Sequence, residues 1–217
     1  MASSRTRVSH ALFALSAVPL VAGAARLAQL ATGHLDASNA RFGLAPWPVT
    51  LHILAATLFS VLGAIQLDPR SRAWAPGWHR ATGAVALVSG LVVAASGVYM
   101  ALTYAIPDAL QGPVLRVTRL AVGGGMFISL LIALRSILAR RFIAHGAWML
   151  RAYALGMGAG TQVLVFLPLE LFLAGPVQGL PRDILMAASW ALNLAVAEFL
   201  NLRKSVRKRA GWRSEAG

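Results

Sequence analysis

The sequence predicts an all-α integral membrane protein: a polytopic bundle of six transmembrane helices with both termini cytoplasmic. Three observations carry that expectation. Of 217 residues, 58% are hydrophobic and 12% charged, with a mean hydropathy of +0.67. Soluble domains are about half apolar and about a quarter charged, so this chain has too few charges to cover a water-facing surface. Six stretches reach the roughly 20 apolar residues that a spanning helix needs. Basic residues gather in alternate connections, as the positive-inside rule requires.

The spans fall at about 10–30, 49–67, 81–105, 117–138, 142–168 and 184–202. Between them lie the breakers expected of turns: "GLAPWP", "DPRSRAWAPG", "IPDALQGP" and "AGPVQGLP". Residues 1–217 read as one transmembrane domain with a basic cytoplasmic tail over 203–217. Arg5 and Arg7 precede the first span, and Arg70, Arg72 and Arg80 surround the second connection. Arg135, Arg140 and Arg141 mark the fourth connection; Arg203, Lys204, Arg207, Lys208 and Arg209 fill the tail. Trp47, Trp74, Trp78 and Trp190 fall near the expected interfaces. The first span, two arginines followed by "ALFALSAVPLVAGA", also reads as a signal peptide with a small-residue cleavage site.

The net charge of +13 belongs to these loops and implies the lipid bilayer as partner; no basic helix interleaved with aromatics points to nucleic acid. The absence of cysteine excludes disulfides, thiolate metal sites and cysteine nucleophiles. Scattered histidines without carboxylates or thiolates make a poor zinc site. No serine sits in a nucleophile turn, and the closely spaced internal acids of a proton-driven transporter are missing.

Ionisable groups within the hydrocarbon are costly, so each is a functional candidate. In the second span, His52, Phe59, Gly63 and Gln66 share one helical face, its polar ends about 21 Å apart. In the third, His79, Gly83, Ala86, Gly90, Gly97 and Tyr104 fall near one line, with glycine every seven residues. Such a stripe either packs helices closely or leaves a groove for a flat ligand. In the fourth, Arg119 shares a leaflet with His52. In the fifth, His145 and Trp148 are followed by Arg151, which shares a face with Leu155, Gly158 and Gln162. Arg151 lies about 15 Å beyond Arg141, too deep for an arginine facing lipid. It requires either a carboxylate, for which Glu198 is best placed, or an anionic ligand.

His79 and His145 occupy the starts of two parallel helices in one leaflet. Two imidazoles at one depth on different helices are what a membrane haem b requires. Gly83 would leave room for the ring edge. Arg80 and Arg151 would pair with propionates, and Trp148 would stack or hydrogen-bond there. Gln66 and Arg72 complete the candidate shell. The alternative is that both histidines only anchor helix ends.

The string "H…GAIQ…R…HR…G" followed by "H..WM.R" resembles a family of bacterial predicted membrane proteins of unassigned function. His52, Gly63, Gln66, Arg72, His79, Arg80, Gly83, His145, Trp148, Met149 and Arg151 carry the resemblance, over roughly residues 49 to 165. It implies a multi-pass protein of the bacterial inner membrane. More loosely, the architecture is similar to the cytochrome b561-like proteins, which hold two haems in a four-helix core. Helices two to five would be that core, with His79 and His145 as one axial pair. The second pair departs from that pattern: Arg119 faces His52 where a histidine would stand. A polar site for a quinone or a small reductant is implied there instead.

These readings converge on a haem b-binding electron carrier or membrane oxidoreductase served by a separate redox partner. Two rivals stand beside it. One is a protein that binds or transports an anionic small molecule or lipid through its buried arginines. The other is a structural membrane subunit.

Overall fold

The computed structural model describes residues 2–36 and 39–215. The side chains of Arg5, Arg7, Trp74, Arg207, Lys208 and Arg209 lie outside the described residues. The elements are α1 (Ala2–Thr32), α2 (Ala40–Leu44), α3 (Pro46–Gln66), α4 (Pro69–Trp74), α5 (Pro76–Thr103), α6 (Pro113–Leu138), α7 (Phe142–Gly156), α8 (Gly158–Leu173) and α9 (Gly179–Glu215). No strand occurs among the described residues. Among the described residues, six segments are long and apolar enough to cross a membrane: Ser9–Thr32 of α1, α3, α5, α6, α7 with α8, and Gly179–Val206 of α9.

Helix starts follow local chemistry. Proline opens α3, α4, α5 and α6, since its fixed φ suits the first turn and its missing N–H is not needed there. That is why α5 begins at Pro76, five residues before the expected 81, and carries His79 and Arg80 within its first five residues. The "DPRSRAWAPG" connection, expected as a turn, folds into α4, whose start Asp68 caps by accepting the Arg70 N–H at 3.0 Å. The start of α6 is capped from a distance. Asp183 of α9, 1% exposed, accepts the backbone N–H of Gly112 (3.1 Å) and Leu115 (3.0 Å).

The fifth span is two helices meeting at Met157. Gly158 is there because a Cβ would overlap the Trp190 indole. Asn193 of α9 donates to the Ala154 carbonyl (3.1 Å) and accepts from Thr161 Oγ1 (2.8 Å), so a side chain from a neighbouring helix is stitched across the break. Such an insertion is a recognised cause of a helix bend.

α3, α5, α6 and α7 form a ring in that order, closed by α7 against α3; α1 and α9 pack outside it. The tightest seam joins α3 to α5. Cβ atoms on Gly83, Gly90 and Gly97 would meet Gln66, Phe59 and His52 respectively. Both helices thus repeat every seven residues and run antiparallel, and each large residue of α3 sits on a glycine of α5. Small residues admit this approach, and dispersion between the closely packed surfaces holds it in lipid. Phe59 is 1% exposed and fills the middle of the ring against Gly90, Gly156 and Leu130. Tyr153 packs beside it, ring centroids 5.7 Å apart, and donates to the Ser60 carbonyl at 3.0 Å.

Candidate functional site

Phe59 divides the polar interior into two clusters, one at each end of the bundle.

The first lies where α3 ends and α5 and α7 begin. The Gln66 amide donates to the His79 carbonyl (2.9 Å) and to Thr82 Oγ1 (2.6 Å), and occupies the space beside Gly83. The room expected there for a ring edge therefore holds a side chain. His79 lies within electrostatic range of Arg72 and His145, so α5 and α7 bring both histidines to one region. Their tautomers follow from their partners. The Ser71 hydroxyl donates to the Asp68 carbonyl (2.8 Å), so its oxygen accepts from His79 Nδ1–H at 3.1 Å. His145 Nδ1 lies 3.0 Å from the Ala133 carbonyl, which can only accept. Both rings thus carry the proton on Nδ1 and leave the Nε2 lone pair uncommitted.

Arg72 and Arg80 are exposed at this end. Arg151 is engaged: its guanidinium holds Glu198 through two hydrogen bonds, with Nη2 to Oε2 at 2.8 Å, and stacks 4.4 Å from the Trp148 ring. Of the two partners open to Arg151, the protein supplies the carboxylate.

The second cluster surrounds a cavity of about 310 Å³ at the opposite end. His52, Arg119, Gln162 and Trp190 line it, and Arg41 and Tyr104 stand at its outer part. Helix geometry gives the depth. Phe59, Gly90, Met126 and Gly156 meet at the floor. Seven residues up α3, α5 and α6 stand His52, Gly97 and Arg119, and Gln162 of α8 stands six residues past Gly156, across the break at Met157. At about 1.5 Å per residue these form one polar layer roughly 9–10.5 Å above the floor. Between layer and floor the wall is apolar: Val93, Ala94, Val122, Leu155 and Ala159.

His52 Nδ1 lies 3.0 Å from Ser96 Oγ, whose own proton goes to the Val92 carbonyl at 2.6 Å. His52 therefore donates through Nδ1, and its Nε2 is an acceptor. Arg119 donates to Gln111 and lies in electrostatic range of Arg41, Arg182 and Asp183. The Gln162 Nε2 is buried with no hydrogen-bond partner among the described residues. Burial first, and then the Arg26 charge, holds Arg41 below its ordinary pKa. Tyr104 donates to the Ala45 carbonyl (2.6 Å), pinning the connection before α3, and burial pushes its phenol up.

His52 and Arg119 were legible as a polar pair. Arg41 and Tyr104 were not, because their role depends on how the connection after α1 folds back over the ring. Gln162, placed by spacing on the Arg151 face, carried one further signal: beside Thr161 it is an uncharged polar side chain, able both to donate and to accept, in a mostly apolar half-span. No group of three or more histidine or acidic side chains that could hold a metal ion occurs among the described residues.

Neither the curated proteins nor the solved structures contain a match to this chain. A protein family does match: the family described as Predicted membrane protein (DUF2306) covers residues 49–201, from the start of α3 well into α9. That stretch contains the Phe59 partition and both polar clusters apart from Arg41, and the chain belongs to this predicted membrane protein family.

Proposed function

We propose that the protein binds an amphipathic anion within the membrane. The head group sits at the His52–Arg119–Gln162 layer and the apolar part in the cavity beneath. The cavity carries this reading. Its volume of about 310 Å³ falls within the roughly 300–1,000 Å³ of small-molecule sites, which are mostly apolar with a few placed polar groups. Arg119, Arg41 and Arg182 lie in one another's field. Both oxygens of Asp183, the carboxylate beside Arg119, already accept backbone amides. A desolvated guanidinium in such company favours a negative ligand. The basic loops support a cytoplasmic His79 end in a bacterial inner membrane, with the cavity facing the other side.

The test is titration of detergent-purified protein with decyl sulfate, decanoate and neutral decyl maltoside, followed by Trp190 fluorescence. Anionic amphiphiles should bind in preference to the neutral one. Arg119→Gln should weaken them by about tenfold or more, the size of a charged hydrogen bond. Equal binding of the neutral amphiphile, or an unchanged Arg119→Gln, defeats the reading.

A second reading rests on the histidine tautomers. Nδ1–H tied to a fixed acceptor with Nε2 free is how ligating histidines are oriented, and it favours haem b between His79 and His145. The remaining shell fits less well, since Gln66 fills the space at Gly83 and Arg151 is paired with Glu198. Haem, when bound, would supply one-electron chemistry. A Soret band after haemin loading, lost in His79→Ala and His145→Ala, would support it; a protein that stays colourless would remove it.

A further inference from the structure

We infer that the head group bound in the Arg119 cavity is a phosphate monoester on a short apolar tail. This rests on the amphipathic-anion reading and narrows it to one chemistry. Three polar groups share the layer, and their hydrogen-bonding roles are fixed. Arg119 can only donate. Gln162 Nε2 is a buried donor without a partner, and such an orphan is costly until something accepts from it. His52 works the other way. Because Ser96 gives its proton to Val92, and the Val93 carbonyl within reach of the ring can only accept, His52 Nδ1 holds the ring proton, and the lone pair is left on Nε2 of a ring that lines the cavity.

A ligand that satisfies all three accepts at two places and donates at one, and carries negative charge. A carboxylate accepts but does not donate. A sulfate monoester and a phosphodiester are likewise anionic acceptors without a proton. A neutral alcohol donates but brings no charge for Arg119. The monoanion of a phosphate monoester has two charged oxygens, for Arg119 and Gln162, and one P–OH for His52 Nε2. Its tail would descend the apolar wall toward Phe59, about 10 Å below. The same chemistry could come from a membrane lipid with a phosphomonoester head or from a free alkyl phosphate, and tail length separates the two.

The experiment is calorimetric titration of the detergent-purified full chain at about pH 6, near the second phosphate pKa. The probes are decyl phosphate, decyl sulfate, decanoate and decyl maltoside. The expected result is decyl phosphate binding about tenfold or more tighter than sulfate and decanoate, the worth of one charge-assisted hydrogen bond. In His52→Phe that preference should collapse, with decyl sulfate still bound, which shows the cavity intact. Octadecenyl phosphate binding as well as the decyl compound indicates a lipid source; binding of the short chain alone indicates a free metabolite. If the wild-type chain binds all three anions alike, or His52→Phe keeps the phosphate preference, the head-group assignment falls while anion binding stands. If no anion outcompetes decyl maltoside, the underlying reading falls with it.

Discussion

Arg151 of α7 and Glu198 of α9 meet fork to fork, with Nη2 2.8 Å from Oε2 and the guanidinium resting on Trp148. This pair ties the inner ring to an outer helix. Glu198→Gln leaves the arginine short of its counter-charge and should lower stability in detergent by about 1–2 kcal/mol, the partial exposure of both side chains reducing a larger buried-pair value. The double variant Arg151→Met/Glu198→Leu should lose less than the sum of Arg151→Met and Glu198→Leu made singly. Thermal unfolding of the four proteins checks this, and strict additivity would refute the coupling.

Phe59 and Gly156 are coupled by shape. A Cβ at Gly156 would lie 2.6 Å from the Phe59 ring. Gly156→Ala should cost about 1–3 kcal/mol through overpacking. In a Phe59→Ala background the same change should cost far less, because the obstructing ring is gone. An equal cost in both backgrounds would show that the glycine is needed for another reason.

Arg140 adopts φ 57° in the turn between α6 and α7. A side chain there costs about 1 kcal/mol that glycine does not pay. Arg140→Gly should therefore raise the unfolding temperature, and a neutral or negative result would place the compensation in contacts of the arginine side chain.

The Tyr104 phenol is held protonated by burial, and its pKa is raised. Its contribution is therefore complete below the ordinary tyrosine value of about 10 and is lost as pH rises through the higher folded value. The stability difference between the wild-type protein and Tyr104→Phe should be constant from about pH 7 to 9 and shrink above about 10. A difference that shrinks below pH 9 would contradict the direction of the shift.

Much of the fold was legible because lipid imposes a length and a hydropathy that short windows of sequence reveal. The seven-residue stripes were legible too: His52, Phe59 and Gln66 on one helix, Gly83, Gly90 and Gly97 on the next. That each glycine seats one of those three was not, because register between helices is a tertiary property. The division of the fifth span at Met157 escaped for a similar reason: its cause, Asn193, lies on another helix. At the sites, the depth of His79 and His145 could be counted along the chain. Their tautomers could not, since Ser71 and Ala133 fix them through contacts that sequence spacing leaves open. The cavity depends on seven helices converging and has no linear signature.

The Phe59 partition has an electrical consequence. A transmembrane voltage falls mainly across the layers that admit least water, and here the aromatic and aliphatic packing around Phe59 is such a layer. Charge resting at Arg119 lies on one side of that drop, and charge at His79 on the other. Passing one elementary charge between them would exchange about 2.3 kcal/mol per 100 mV with the field. On the proposed anion reading, an anion at Arg119 would be retained or released with little work from the membrane potential, whereas any event that carries charge past Phe59 would be coupled to it.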